Sequence, residues 1–266
     1  MWRPLVVTVG AWSLLVPGAA TQENPNVGRR VALVVGPVFV SQRDEKASPV
    51  RYSGAAPFLE VGYTTRTTRR KLDLRLGGAL GTLQSALTQS NNLPQQTIGR
   101  GWVSLEYSRT LGAPPFPTRW LLGGRLSASG TVTQHAYASA AGSDQGYAFF
   151  STTLGPVVAV EHTSGERATL SAALSVPVLA LITRPYSVFV LYYKPPPANL
   201  GLHSRLTTVG AFQAADFRAA YTAHRSGADL MLGYHLLVER YRDSEPFRFA
   251  SQRVSLTLAL RVGGGP

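Results

Sequence analysis

Residues 71–80 read Lys-Leu-Asp-Leu-Arg-Leu-Gly-Gly-Ala-Leu, which places Leu72, Leu74 and Leu76 on one face of an extended strand and Lys71, Asp73 and Arg75 on the other. One face requires hydrocarbon and the other requires water. A single segment of this kind would suit a half-buried sheet, but the two-sided pattern recurs along the chain in about ten segments, most of about ten to fourteen residues. That is longer than the roughly five or six residues usual in globular sheets and long enough to cross a bilayer with tilt. The pattern therefore predicts an all-β fold, a transmembrane antiparallel up-and-down β-barrel of about ten strands with an apolar outside and a polar lumen.

The N-terminus fits export. Arg3 gives a small basic start, residues 5–16 are largely apolar, and Gly18-Ala19-Ala20 supply a small-residue cleavage site. The apolar run is shorter than the roughly 18 residues a spanning helix needs. Residues 1–20 are thus expected to be a cleaved signal peptide and 21–266 a single barrel domain. The chain contains no cysteine, which excludes disulfides, a lipid-modified cysteine and thiolate metal sites. Its formal charge of +12 would direct an exported protein to phosphorylated head groups and lipopolysaccharide, with no nucleic-acid role. Scattered arginines would otherwise line the lumen or anchor strand ends.

Alternation places strands near 30–41, 57–67, 71–83, 101–110, 119–133, 147–161, 168–181, 212–224, 229–239 and 249–262. Between them, the segments around 68–70, 112–117, 163–165 and 226–227 read as short turns. The alternate connections, 42–56, 88–96, 134–146, 183–208 and 240–246, read as mostly longer loops. Short turns on one side and long loops on the other are the asymmetry of outer-membrane barrels, and an even strand count puts both termini in the periplasm. Tyr63, Trp102, Tyr107, Trp120, Phe149, Phe150, Tyr221, Tyr234, Phe247 and Phe249 fall mostly toward strand ends, with Tyr63 and Tyr234 nearer the middle, and are read as an interfacial aromatic girdle. Residues 183–208 stand outside the barrel rhythm. Their stretch 186–193 has strand character, so an extra hairpin there would raise the count to twelve.

Leader, strand length and loop rhythm together resemble the outer-membrane β-barrel proteins of Gram-negative bacteria. The resemblance spans the mature chain and is architectural, with no subfamily motif. The last strand, 253–262, is similar to the C-terminal strand that such barrels use as an assembly signal, although it is followed by Gly263-Gly264-Gly265-Pro266 where those end on an aromatic residue. The resemblance implies an outer-membrane location and contact with the barrel assembly machinery.

Strand facing sends Glu60, Asp73, Arg75, Glu106 and Arg125 inward, because an arginine or lysine toward lipid would cost roughly 2 to 4 kcal/mol near the midplane. In a narrow lumen these charges are expected to pair as one network. Catalytic alternatives are poor. His203 and Ser204 are adjacent and point to opposite faces, while His224 and Asp229 flank a periplasmic turn, the wrong end for the Asp-His couple of outer-membrane proteases; Asp216 and His235 complete that unsupported set. His162, His224 and His235 lack the i, i+2 spacing of ligands on one strand face. No catalytic residue, metal ligand or cofactor is assigned. The expectation is a monomeric, non-enzymatic outer-membrane barrel with a charged, largely filled lumen and a structural, surface-binding or narrow-passage role. The alternatives are a barrel enzyme acting on lipid or lipopolysaccharide and a soluble exported β-protein.

Overall fold

The computed structural model describes residues 27–45, 48–85, 95–112, 117–136, 145–165, 167–185, 189–190, 202–225, 227–242 and 246–262. The proposed signal peptide lies outside them. All their regular elements are strands: β1 Gly28–Asp44, β2 Ser48–Arg66, β3 Arg70–Ser85, β4 Gln95–Leu111, β5 Thr118–Ala136, β6 Gln145–Ser164, β7 Ala168–Ser175, β8 Leu179–Pro185, β9 Phe189–Val190, β10 Leu202–Thr208, β11 Phe212–His224, β12 Ala228–Tyr241 and β13 Phe247–Arg261. Consecutive strands β1 to β7 pair antiparallel, β7 pairs with β11, and β11, β12 and β13 lead back to β1 through Arg30↔Arg261 to Asp44↔Phe247. The sheet closes on itself in ten strands. Closure joins β7 to β11 from Ala168↔Ala223 to Ser175↔Asp216, and a closed sheet can satisfy its own backbone in hydrocarbon.

Side-chain parity follows the closure. Outward positions carry Val31, Leu33 and Val35 on β1, Leu59 and Val61 on β2, Leu74, Leu76 and Leu80 on β3, and Leu256, Leu258 and Leu260 on β13, all exposed. Leu76 is 64% exposed, whereas Glu60, from the neighbouring strand, is 4% exposed. The polar residues are inside and the leucines outside. Toward the end that bears β1's last residues the outer face turns polar, with Arg51, Gln213, Arg248 and Gln252 exposed there, so the strands extend past the apolar belt.

That extension corrects the loop reading. The connection assigned to 42–56 is only 45–47 between strand ends, because Ser41–Asp44 and Ser48–Ala56 continue the β1–β2 ladder. The charged run Arg43-Asp44-Glu45-Lys46 has the composition of a loop, but inward Gln42 and Asp44 are buried by the barrel. At the opposite end the β2–β3, β6–β7 and β11–β12 connections are three residues each and β4–β5 is six, and Gly165 and Gly227 there hold φ of +62° and +81°, a left-handed conformation that glycine adopts without a Cβ clash.

The strand read as 168–181 is interrupted at Val176-Pro177-Val178. Its two halves, β7 and β8, both lie on β6, joined by Val176 N–H to Pro156 O at 3.4 Å and Val178 N–H to Leu154 O at 2.9 Å. An extra hairpin does form in this region, from β8 and β10 (Leu202↔Pro185 to Thr208↔Leu179), and lies outside the ring. Of the residues 186–193 read as strand-like, only β9 is described, pairing with Gln145 and Gly146 of β6.

Candidate functional site in the barrel lumen

Inward positions build three layers. At the turn end, Arg30 Nε lies 2.6 Å from Asp229 Oδ2, Arg66 pairs with Glu161, and Lys71 Nζ stands 3.6 Å from the same glutamate. His224 Nδ1 and Asp229 Oδ1 are 2.9 Å apart, and Thr169 Oγ1 lies 2.9 Å from His224 Nε2. These groups sit at the turn end of the ring.

The middle layer lies level with the outer leucine belt. Arg75 contacts Asp73 at 3.0 Å and Glu60 at 3.3 Å. Glu60 also accepts from Trp102 Nε1 at 2.7 Å and from Arg253 at 3.3 Å. Arg253 donates to His235, whose Nε2 is 2.9 Å from Asp216 Oδ2. Asp216 Oδ1 stands 2.8 Å from Arg125 and 3.2 Å from Arg218, and Arg218 pairs with Glu106. The path Asp73, Arg75, Glu60, Arg253, His235, Asp216, Arg218, Glu106 is unbroken and spans β2, β3, β4, β11, β12 and β13.

Three of the five residues assigned from sequence, Glu60, Asp73 and Arg75, touch directly. Glu106 and Arg125 are register partners on β4 and β5, yet they form no direct pair; Arg218 takes Glu106 and Asp216 takes Arg125. Sequence reading missed Arg218 and Arg253 and set aside Asp216 and His235 while weighing a protease site. Parity could have found all four, since Asp216 and Arg218 alternate with Ala215, Phe217 and Ala219, His235 lies between Tyr234 and Leu236, and Arg253 is in the opposite phase to Val254, Leu256 and Leu258.

Toward the loop end the lumen becomes aromatic. Phe149 and Phe247 stack at 3.9 Å between ring centroids, Phe249 and Tyr241 lie 6.3 Å from Phe247 and Phe149 respectively, and the Arg100 guanidinium sits 3.8 Å over Phe249. Arg100 pairs with Glu239 at 2.8 Å and Arg184 with Asp44 at 2.7 Å. This corrects part of the aromatic girdle. Phe149, Phe247 and Phe249 are buried and Trp102 faces Glu60, whereas Tyr107, Trp120, Phe150, Tyr221 and Tyr234 are exposed on the outer face. Strand-end position alone does not decide whether a ring faces lipid or lumen. Parity does, and Phe149 shares its phase with buried Glu161.

Between and around these layers lie cavities of about 60, 120 and 100 Å³, lined respectively by residues of the upper, middle and lower lumen. Among the described residues, no three His, Asp or Glu side chains gather as a metal site.

No protein-family model and no curated protein matches the chain. Solved structures do. The translocator domain of autotransporter NalP from Neisseria meningitidis aligns over 89% of both chains at 11% identity with a TM-score of 0.47. The outer membrane protein OprG from Pseudomonas aeruginosa aligns over 90% of this chain and all of its own at 10% identity with a TM-score of 0.38. The attachment invasion locus protein Ail of Yersinia pestis aligns over 88% and 100% at 7% identity with a TM-score of 0.35. The chain resembles outer-membrane β-barrel proteins, without a specific subfamily.

Proposed function

We propose that this protein is an outer-membrane barrel whose lumen is closed to ions and bulk solutes, serving a structural or surface-presenting role rather than general diffusion. One observation carries the reading: the unbroken path of ion pairs and hydrogen bonds from Asp73 to Glu106 crosses the barrel at the level of its lipid belt. Oppositely charged groups of this layer are held at 2.8 to 3.3 Å, so a permeating ion would have to break pairs whose partners would remain buried. The aromatic stack above adds a second barrier. Export by a cleaved leader, a single domain in residues 21–266, a monomeric state and contact with lipopolysaccharide phosphates belong to the same proposal, supported by the basic charge and the closed ring.

Planar-bilayer recording of the purified protein tests it. Steps of porin size in most insertions would overturn closure, and a silent bilayer with protein demonstrably inserted is the expected result.

A further inference from the structure

The ring is not uniformly hydrogen-bonded. The β7–β11 ladder ends at Ser175↔Asp216, and if its register continued, Val176, Pro177 and Val178 would face Ala215, Ala214 and Gln213. They form no ladder there. Val176 and Val178 turn their N–H groups to β6, and Pro177, between them, has none to offer β11. The chain beyond confirms the misfit: Thr208 pairs with Leu179, at the height where continuation would put Phe212, so β10 runs four residues out of step with β11. Ala211 instead crosses in a turn, accepting from Arg242 N–H at 2.7 Å. β11 therefore keeps Phe212–Ala215 paired with β12 alone, and β10 ends the hydrogen-bonded path of the sheet. A seam remains in the wall between the β8–β10 hairpin and the β11–β12 hairpin.

The seam has a cavity behind it and the upper edge of the apolar belt in front. The cavity of about 60 Å³ is bordered by Ser175 and Pro177 on one lip and by Ala214 and Asp216 on the other, and its walls include Val40 and Leu237. Outside the seam, Val176, Val178 and Phe217 are exposed on the belt. The charges that border the cavity are already matched, Arg100 with Glu239, Arg125 with Asp216 and Arg253 with Glu60. Three of its hydroxyls are matched as well, Ser127 with Thr153 and Ser129 with Ser151. Each of the bordering charges has its counter-charge inside the lumen, and the apolar part of the lining, Val38, Val40, Ala56, Ile98 and Leu237, is what remains to meet a ligand. The aromatic stack lies above and the ionic layer below, which leaves the wall as the open direction.

We propose that the upper lumen is a binding site for small uncharged apolar molecules, which exchange with the outer half of the bilayer through the seam between Val176–Val178 and Gln213–Ala215. The volume suits about four or five water-sized groups, hence a short alkyl chain or a small ring. The proposal goes beyond closure to ions, because an apolar solute entering sideways never crosses the charged layer. The two readings fail separately, one by conductance and one by labelling.

The test uses the full chain in phospholipid vesicles with a short alkyl diazirine, which partitions into the bilayer and is fixed in place by light, followed by mass spectrometry of the labelled residues. Lipid-facing Leu256 and Leu258 should be labelled in every variant. Inward Val40 and Leu237 should be labelled in the parent, lose the label in Ala214→Phe, which fills the inner lip, and lose it in the oxidised double variant Val176→Cys, Ala215→Cys, regaining it on reduction. The chain has no cysteine to interfere, and if that pair does not oxidise, Ala214→Phe decides alone. Absence of label on Val40 and Leu237 in the parent would overturn the site. Label that persists in the filled and closed variants would overturn the route.

Discussion

Arg75 bridges a carboxylate of its own strand and one of the next, at 3.0 Å from Asp73 and 3.3 Å from Glu60. Arg75→Ala would leave both acids buried with one cation fewer, so unfolding in urea from lipid vesicles should show a loss of about 3 to 5 kcal/mol. Arg75→Lys should recover only part, because an ammonium cannot fork toward two carboxylates as a guanidinium does. An unchanged unfolding midpoint for Arg75→Ala would mean that water, not Arg75, satisfies those acids. Gly77 is a second sensitive position. A Cβ there would lie 2.7 Å from the Trp102 ring and 2.9 Å from Glu60 Cβ, so Gly77→Val should displace the indole from Glu60 and cost about 1 to 3 kcal/mol through overpacking. Tryptophan emission that stays unshifted in that variant would argue against the displacement. At this scale the facing of Glu60, Asp73, Arg75, Glu106 and Arg125 was legible, since alternation sets it locally. Their partners were not, because Arg218 and Arg253 lie 112 and 193 residues from Glu106 and Glu60 and meet them only once the ring closes.

Each strand is two-faced, and its faces carry different penalties. Leu76 on β3 is among the most exposed apolar residues of the belt. Leu76→Arg should weaken folding into vesicles by roughly 2 to 4 kcal/mol if it lies near the midplane. Equal insertion of variant and parent would show that this face does not meet lipid. Strand existence was legible in the alternation of β3, β4 and β13, but strand ends were not. Asp44-Glu45-Lys46 carries the charge of a loop, yet β1 and β2 continue to within three residues of each other, because above the belt a strand's outer face is wet and no longer needs apolar residues. The break at Pro177 escaped notice for a different reason: one proline at a strand edge is tolerated, and only the registers on its two sides show that the ladder stops there.

In the whole molecule, strand number and connection length together set orientation. Ten ring strands bring Gly28 and Arg261 to the same end as the turns at Gly165 and Gly227, while the connections 86–94, 137–144 and 186–201 leave from the other. Outer-membrane barrels assemble with tight turns in the periplasm and long connections outside, so the latter three segments are expected at the cell surface. Protease added to intact cells should cut within 137–144 or 186–201 and spare 225–227. The ring should stay together after the cut, because β5 and β6 remain joined by pairs from Thr118↔His162 to His135↔Gln145, so nicked protein should still migrate as a compact species on gels until boiled. Cutting that appears only once the outer membrane is opened would invert the topology and put the aromatic layer, with the seam beside it, on the periplasmic side. In that case the apolar site would exchange with the inner leaflet instead, and the diazirine labelling of Val40 and Leu237 would persist while its accessible leaflet changed.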